Sequence, residues 1–271
     1  MGDVADGPPR EGDQLSEPPR GPDQLGLGVP VLRPAHPHHR AGASMRRLLA
    51  AAAAAVALTG CSGNEATGDA PKVLRDSAAA MAKLQSVSAT LKLTKGTVTI
   101  QGFRLVSAKT SVRMPADSDT VYMVKEQDIT FALQVVIAAG HTYVHLPFSR
   151  FEEVNPSQAA QFPDMAKLFD PSTGLPAVIP SGTQKKYISS EQLDGKTVDH
   201  VSTTYTPEQV RSLLTQLNSS GPVAANIWVR SDHLIRKAVL DGAFGDGGKE
   251  AAVEVDISAF NPTVTITSPT P

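Results

Sequence analysis

The sequence predicts an α+β domain in which a long antiparallel β-sheet carries two amphipathic helices. Three observations support this prediction. Apolar and polar residues alternate along several short segments, turns rich in Gly, Asp and Ser separate these segments, and apolar residues recur at helical spacing in two others. Because the strand segments mostly follow one another directly, we expect an antiparallel meander and not alternating β-α-β units.

The first predicted element is an amphipathic helix from Lys72 to about Val87. Val73, Ser77 and Met81 lie on one face of this helix, spaced by four residues. A short helix with one apolar face gains most of its stability by packing that face against another element. We therefore expect it to lie against the sheet.

The segment after this helix is predicted to be mostly β-structure. Alternation is clearest from Ile129 to Ile137, where Thr130 and Ala132 take the opposite face, and Ala139-Gly140 forms a turn. Further strands of this half are predicted around residues 91–93, 98–100, 103–105 and 142–146.

A proline-rich stretch, residues 148–180, interrupts the strand pattern. Short helical pieces are predicted around residues 157–161 and 164–169, and large apolar residues persist throughout. Two interpretations remain open: the stretch covers an apolar interior, or it forms a small satellite core under a long connection.

The second predicted helix begins with a strong capping signal and runs from Pro207 to Leu217. Thr206 is the N-cap, Pro207 occupies the first helical position and Gln209 the capping-box position. Leu213 and Leu217 belong to its apolar stripe. Later strands are predicted at residues 225–230, 235–241 and 251–259, and Val264 and Ile266 are expected to close the sheet.

Residues 45–60 have the pattern of a bacterial lipoprotein signal peptide. Two arginines follow Met45, and residues 48–57 form an apolar run that is shorter than the about 20 residues needed to span a bilayer. The next four residues, 58–61, resemble a lipobox, in which acyl chains such as palmitate are attached to the cysteine. Here that residue is Cys61, the single cysteine of the chain. We expect the acylated Cys61 to anchor the protein at the extracytoplasmic face of the cell membrane, with residues 61–70 as a flexible tether to the domain at residues 71–271.

Residues 1–44 form a low-complexity leader rich in Pro, Gly, Asp and Arg, which cannot bury a core. Since a signal peptide normally starts at the N-terminus, we expect translation to begin at Met45 and the leader to come from an over-extended gene model. His36, His38 and His39 lie in this leader, and we do not expect them to bind a metal.

Composition and motifs argue against several functional classes. The formal net charge of −2 shows no basic excess, so nucleic acid is not an expected partner. No nucleophile elbow, phosphate-binding loop or zinc-protease motif occurs, so we expect neither an enzyme nor a cofactor. His141 and His145 would lie about 13 Å apart on a strand, too far to share a metal ion. His200 and His233 each follow an aspartate, but neighbouring strand residues point to opposite faces.

The mature region as a whole resembles the actinobacterial LppX/LprA/LprF/LprG lipoprotein family. The segments that carry the resemblance are residues 142–147, 169–175, 193–196, 226–230, 234–237 and 260–266. The resemblance implies a strongly curved, half-open antiparallel β-barrel with helices on its concave side and an apolar cavity between them, similar to the carriers LolA and LolB. It also implies the transport of acylated lipids or glycolipids across the cell envelope, with a lipid exporter as a partner.

We therefore expect a lipid-binding lipoprotein whose helix at residues 207–217 is a candidate lid or plug. The candidate cavity residues are Ile129, Phe131, Leu133, Val135, Ile137, Leu213, Leu217, Val253, Val255 and Ile257. One alternative is an envelope adaptor with the same fold and a collapsed cavity, acting through protein contacts. A cavity well above a few hundred Å³ would favour the carrier. A secreted hydrolase is a third candidate, against which the missing nucleophile and metal motifs argue.

Mass spectrometry of the precursor and the mature protein tests the predicted start and anchor. We expect no peptide from residues 1–44 and a mature N-terminal peptide that starts at an acylated Cys61. Any peptide from the leader would contradict the predicted start, and an unmodified Cys61 thiol would contradict the predicted anchor.

Overall fold

The computed structural model describes residues 67–270, which form one large β-sheet with short helices. The leader, the signal peptide and Cys61 lie outside the described residues. The strands are β1 Ser86–Lys95, β2 Thr99–Ile100, β3 Phe103–Arg113, β4 Asp117–Glu126, β5 Ile129–Ala138, β6 His141–His145, β7 Glu152–Val154, β8 Thr183–Leu193, β9 Lys196–Tyr205, β10 Val223–Arg230, β11 Ile235–Gly245 and β12 Lys249–Phe260. The helices are α1 Ala70–Met81, α2 Pro156–Ala159, α3 Leu175–Val178 and α4 Pro207–Leu213.

All neighbouring strands pair antiparallel, as the sequence predicts. The order across the sheet is β7-β6-β5-β4-β3-β1-β12-β11-β10-β9-β8, with β2 paired to β3 outside this path. Most neighbours are consecutive hairpins. The exception is β1, which pairs with β3 on one side and with β12 on the other and thereby joins the two halves of the chain. The outermost strands, β7 and β8, do not pair with each other, so the sheet is open.

The sheet is strongly curved, because side chains from β1 to β4 and from β9 to β12 meet in one shared interior. Alternation along each strand sends one set of side chains inward. In β10, for example, Ile227 and Val229 are buried while Asn226 and Trp228 are partly exposed on the other side. The half-open curved sheet predicted from the family resemblance is therefore confirmed.

Helix α1 is shorter than predicted. The carboxylate of Asp69 accepts a hydrogen bond from the Lys72 N–H at 2.9 Å and caps the N-terminus, and the helix ends at Met81 and not near Val87. Strand pairing competes with the helix beyond Met81, because Val87 belongs to β1 and pairs with Phe260 of β12. Helix α1 packs its apolar side against α3, β8 and β9.

The strands β4, β8 and β9 lack a clear signal in the sequence and are not predicted from it. In β4 the inward positions include Ser118 and Thr120, so alternation of apolar and polar residues is weak. The hydroxyl of Thr120 lies 2.8 Å from that of Thr110 on β3, and this hydrogen bond satisfies both buried groups. Strand β8 forms an edge of the sheet and is largely exposed.

In the C-terminal half, the structure differs from the prediction in the end of α4 and in the last predicted strand. Helix α4 ends at Leu213 because Leu214 takes an extended backbone conformation, although the capping box at Thr206 and Gln209 is present as predicted. Val264 and Ile266 do not form a strand. Ile266 is buried against Val136 and Tyr143 on the opposite face of the sheet from the main core, so it packs there without pairing.

Within residues 67–270, no helix combines the length and the apolar character that crossing a bilayer requires.

Truncation of Leu74, which is fully buried in α1, tests the packing of this helix. We expect Leu74→Ala to lower the free energy of unfolding by about 2–5 kcal/mol, measured by urea denaturation, because it leaves a cavity in the core. Ile129→Ala is the control, since this side chain is 70% exposed, and we expect a change within about 0.5 kcal/mol. Equal effects of the two changes would contradict the packing of α1.

Candidate ligand-binding cavity

An apolar cavity of about 170 Å³ lies between the concave face of the sheet and the segments that cover it. Eight strands contribute to its wall, and none of its lining residues carries a charged side chain. The polar side chains in the lining are Thr110, Tyr122, Tyr205 and Gln216. Such a lining suits an apolar ligand and offers few groups for chemistry.

Five of the ten candidate cavity residues line this cavity. Val253, Val255 and Ile257 lie on the inward face of β12, which is central in the sheet. Leu213 ends α4, and Leu217 follows it in the non-helical connection to β10. The apolar stripe predicted for a longer helix thus reaches the cavity, although its last part is not helical.

The five candidates on β5 do not line the cavity, which corrects their predicted position. Leu133 and Val135 are buried in the packed core, Phe131 packs edge-to-face on Phe103 with ring centres 5.1 Å apart, and Ile137 is half-buried. Ile129 is 70% exposed. The cavity ends at β4, which contributes Tyr122 alone, and β5 lies beyond it toward the β7 edge.

The proline-rich stretch covers the cavity, which decides between the two interpretations left open by the sequence. Seven of its side chains line the cavity: Pro163, Met165, Leu168, Phe169, Leu175, Val178 and Ile179. Two anchors hold it in place. The Tyr205 hydroxyl donates a hydrogen bond to the Ile179 carbonyl at 3.1 Å, and the carboxylate of Asp170 organises the turn before α3.

Asp170 accepts hydrogen bonds from the hydroxyl and backbone N–H groups of Ser172 and Thr173 at 2.7 to 2.9 Å. These bonds, that from the Ser172 hydroxyl first, lower the pKa of Asp170 to about 2, so the turn keeps its charged cap at any physiological pH.

Few polar contacts tie α4 and the connection after it to the rest of the cover. The Gln209 side-chain amide donates to the carbonyl of Ser181 at 3.1 Å and lies 2.9 Å from its hydroxyl. The Gln216 amide lies 3.4 Å from the Ala160 carbonyl. These contacts are exposed, and displacing them costs little because water can replace the lost hydrogen bonds.

Tyr122 places a polar atom in this apolar surrounding. Its hydroxyl is buried and makes no hydrogen bond of good geometry among the described residues; the nearby Thr120 hydroxyl, which bonds Thr110, only slightly opposes the rise in its pKa. Burial, with a smaller contribution from the carboxylate of Asp164, raises the pKa of Tyr122 well above its ordinary value, so the group stays neutral and able to donate. Tyr122 is not among the candidate cavity residues because the sequence does not predict β4. Its alternation with Thr120 and Val124 is the signal that could have found it.

His141 and His145, considered as metal ligands, and His200, considered beside Asp199, do not line the cavity. His141 contacts Glu153 at 2.7 Å, His145 stacks on Phe151 and His200 stacks on Trp228 at 4.3 Å. Among residues 67–270 no three His, Cys, Asp or Glu side chains are grouped to hold a metal ion.

Comparison with known proteins relates the chain to one family. The model of the LppX_LprAFG lipoprotein family matches residues 69–266. The chain is 26% identical over 238 residues to a protein named lipoarabinomannan carrier protein LprG from Mycolicibacterium smegmatis, and the match covers 83% of this chain and 95% of that protein. The LprG of Mycobacterium tuberculosis is 25% identical over 136 residues, covering 49% of this chain and 55% of that protein.

Two solved structures share the fold. LprF from Mycobacterium bovis superimposes with a TM-score of 0.61 at 19% identity, covering 76% of this chain and all of that chain. LppX from Mycobacterium tuberculosis superimposes with a TM-score of 0.54 at 19% identity, covering 73% of this chain and 98% of that chain.

A matched pair of Tyr→Phe variants tests the unpaired hydroxyl. We expect Tyr122→Phe to leave the free energy of unfolding unchanged or to raise it, because it removes a buried polar group that has no partner. Tyr205→Phe loses the bond to Ile179 and is expected to cost about 1 kcal/mol. Thermal and urea unfolding measure both free energies. A larger loss of stability for Tyr122→Phe than for Tyr205→Phe would show that the Tyr122 hydroxyl has a partner.

Proposed function

The chain belongs to the LppX_LprAFG lipoprotein family, and from this premise we propose that it binds an acylated lipid or glycolipid in its cavity and carries or presents it at the cell envelope. The observation that supports the proposal most directly is the lining, which comes from eight strands and the cover and has no charged side chain. A site of this composition selects a ligand by its apolar surface.

Burial of acyl chains supplies enough free energy for binding. Each buried CH₂ group contributes about 0.8 kcal/mol, so ten of them give about 8 kcal/mol, which corresponds to a dissociation constant of about 1 μM before the costs of association. No catalytic group is needed, and the proposed activity is binding alone.

The proposed binding requires the cover to move. The cavity volume of about 170 Å³ is below the about 300–1,000 Å³ typical of sites for drug-sized ligands, so a lipid would enter only after the closed cover is displaced. The cover, residues 163–179 with α4 and the connection to Leu217, is the part that can give way. It is not part of the sheet, and the exposed contacts of Gln209 and Gln216 hold its outer side.

The ring of Tyr122 lines the cavity while its hydroxyl is buried behind the wall, so the hydroxyl would become a point of polar recognition once the cover moves. Since it has no partner in the closed state, we propose that it donates a hydrogen bond to an ester carbonyl of the bound lipid. An acylated lipid carries such a carbonyl at the head of each chain. The interaction would fix how deep the chain enters and would remove the cost of the unpaired group.

The ligand class, the anchor and the exporter belong to the same proposal. The LprG proteins are named as carriers of lipoarabinomannan, so we propose a glycolipid whose acyl chains enter the cavity while its sugars stay outside. Acylation at Cys61 would hold the domain at the extracytoplasmic face of the membrane, and a lipid exporter of the envelope would receive or deliver the lipid.

The small cavity volume favours an envelope adaptor as the second candidate. In that case the same fold would keep a collapsed interior and act through protein contacts. The two candidates differ in whether the folded protein ever contains a lipid, which native mass spectrometry measures.

Native mass spectrometry of the Cys61→Ser protein purified from an actinobacterial host tests the carrier. We expect co-purifying acylated lipid with the parent and at least about tenfold less with Ala238→Trp. Ala238 lies on the inward face of β11 between Ile227 and Val255, so the indole would fill the cavity. Ala224→Trp is the matched control, because Ala224 is exposed on the outer face of β10, and we expect it to load normally.

The result that would contradict the carrier is a folded parent protein without any lipid, or equal loading of Ala238→Trp and the parent. Ala238→Leu, which adds less volume, keeps the test decisive if the tryptophan variant does not fold.

A further inference from the structure

Phe148 is the most exposed large apolar side chain among the described residues. Its relative exposure is 108%, so the ring projects fully into solvent at the tip of the connection between β6 and β7. Exposed apolar residues are common on protein surfaces, but an aromatic ring without any packing is not. The residues around it hold the ring in this exposed position.

A hydrogen-bonded turn holds Phe148 in place. The Ser149 N–H donates to the Leu146 carbonyl at 3.1 Å, and the Ser149 hydroxyl accepts from the Leu146 N–H at 3.0 Å. Phe148 itself has a φ of 64°, in the left-handed region that a non-glycine residue enters at a cost in free energy. The turn therefore presents the ring outward at the expense of local strain.

Two further apolar side chains are exposed at the same end of the sheet. Leu146 is 39% exposed beside the turn, and Ile129 is 70% exposed at the start of β5. Strand β6 pairs antiparallel with β5, with His145 opposite Gln134, so the chain beyond His145 runs toward the end of β5 at which Ile129 lies. We call Ile129, Leu146 and Phe148 the apolar rim.

The cover of the cavity lies at this end as well. The turn between β2 and β3 is also at this end, and there the Gln101 amide donates to the Gln161 side chain at 2.9 Å, directly before the covering residues. The connection after Phe148 passes through β7 and α2 into the cover at Pro163. The apolar rim and the movable part of the proposed site are thus neighbours along the chain and in the fold.

We propose that the apolar rim inserts into the bilayer that carries the protein, and so places the cavity cover at the membrane surface where lipid enters or leaves. The proposal rests on the proposed function for the membrane anchor, since Cys61 would hold the domain close to that bilayer. Gly68 packs against Tyr187, so only six residues separate Cys61 from Gly68, and the seven Cα–Cα steps between the two span at most about 25 Å. Such confinement strengthens a membrane contact that the rim also makes without the anchor.

The shape and charge of the rim favour a lipid bilayer as its occupant. A convex tip with one projecting ring cannot bury the about 800 Å² per partner of a standard protein interface, whereas a fluid headgroup layer admits a single protruding side chain. Charged groups of both signs lie near the rim, Lys125 and Arg150 beside Glu126, Asp128 and Glu152, so the rim has no net basic patch. The contact is therefore apolar in nature, and it needs no anionic lipid.

Vesicle co-sedimentation of the mature chain with Cys61→Ser tests this proposal separately from lipid loading. We expect binding to phosphatidylcholine vesicles that persists at high salt, and a loss of about tenfold or more in the partition coefficient for Phe148→Ser, the factor expected when a Phe side chain leaves an apolar medium. Ile188→Ser is the matched control. Ile188 is 42% exposed on β8, at the opposite edge of the sheet, and we expect no change.

Phe148→Trp reports insertion directly. We expect its added fluorescence to shift to the blue and to be quenched by phosphatidylcholine with brominated acyl chains, beyond the response of the single native Trp228. Absence of vesicle binding by the parent, equal binding by Phe148→Ser, or an unquenched Trp at position 148 would each overturn the proposal. In native mass spectrometry Phe148→Ser is expected to keep its lipid, so loss of lipid in the parent would count against the proposed function and not against the rim.

Discussion

Strand β1 is hydrogen-bonded along both of its edges, and the interior of the domain depends on this double pairing. Its partner β3 begins the first half of the sheet, while β12 is the last strand of the chain. Leu91 pairs with Ala108 on one side and with Val255 on the other, so three inward side chains from distant parts of the sequence form one row of the cavity wall. Without β1 the two hairpin series would be separate sheets, and neither would enclose a cavity.

A sheet of this curvature leaves an apolar concave face that its own side chains do not fill. Proteins normally close such a face by packing a second layer against it. Here that layer consists of α1, the short helix α4 and the irregular proline-rich stretch. These segments bury their apolar side chains on the sheet but make few regular hydrogen bonds with it. The arrangement excludes water from the interior and still leaves the cover as the part of the domain that can open most readily.

The fold could be predicted from the sequence where one physical signal dominated. The alternation on β12 placed Val253, Val255 and Ile257 together, and the capping box at Thr206 fixed the start of α4. Prediction failed where tertiary pairing overrode local preference, as at Val87, and where inward positions are polar, as in β4. Because the polar inward positions of β4 weaken its alternation, Tyr122 could not be predicted as a cavity residue either. For β5 the alternation identified the inward face correctly, but no local pattern tells how far a cavity extends beneath a curved sheet, so residues of the packed core were taken for cavity wall.

The most direct test of the account is a crystal structure of the protein loaded with a lipid whose acyl chains carry bromine. The account predicts anomalous bromine peaks inside the cavity, between β12 and a displaced cover, with an ester carbonyl within hydrogen-bond distance of the Tyr122 hydroxyl. Bromine peaks confined to the protein surface, beside a cavity that remains closed at its present volume, would contradict it.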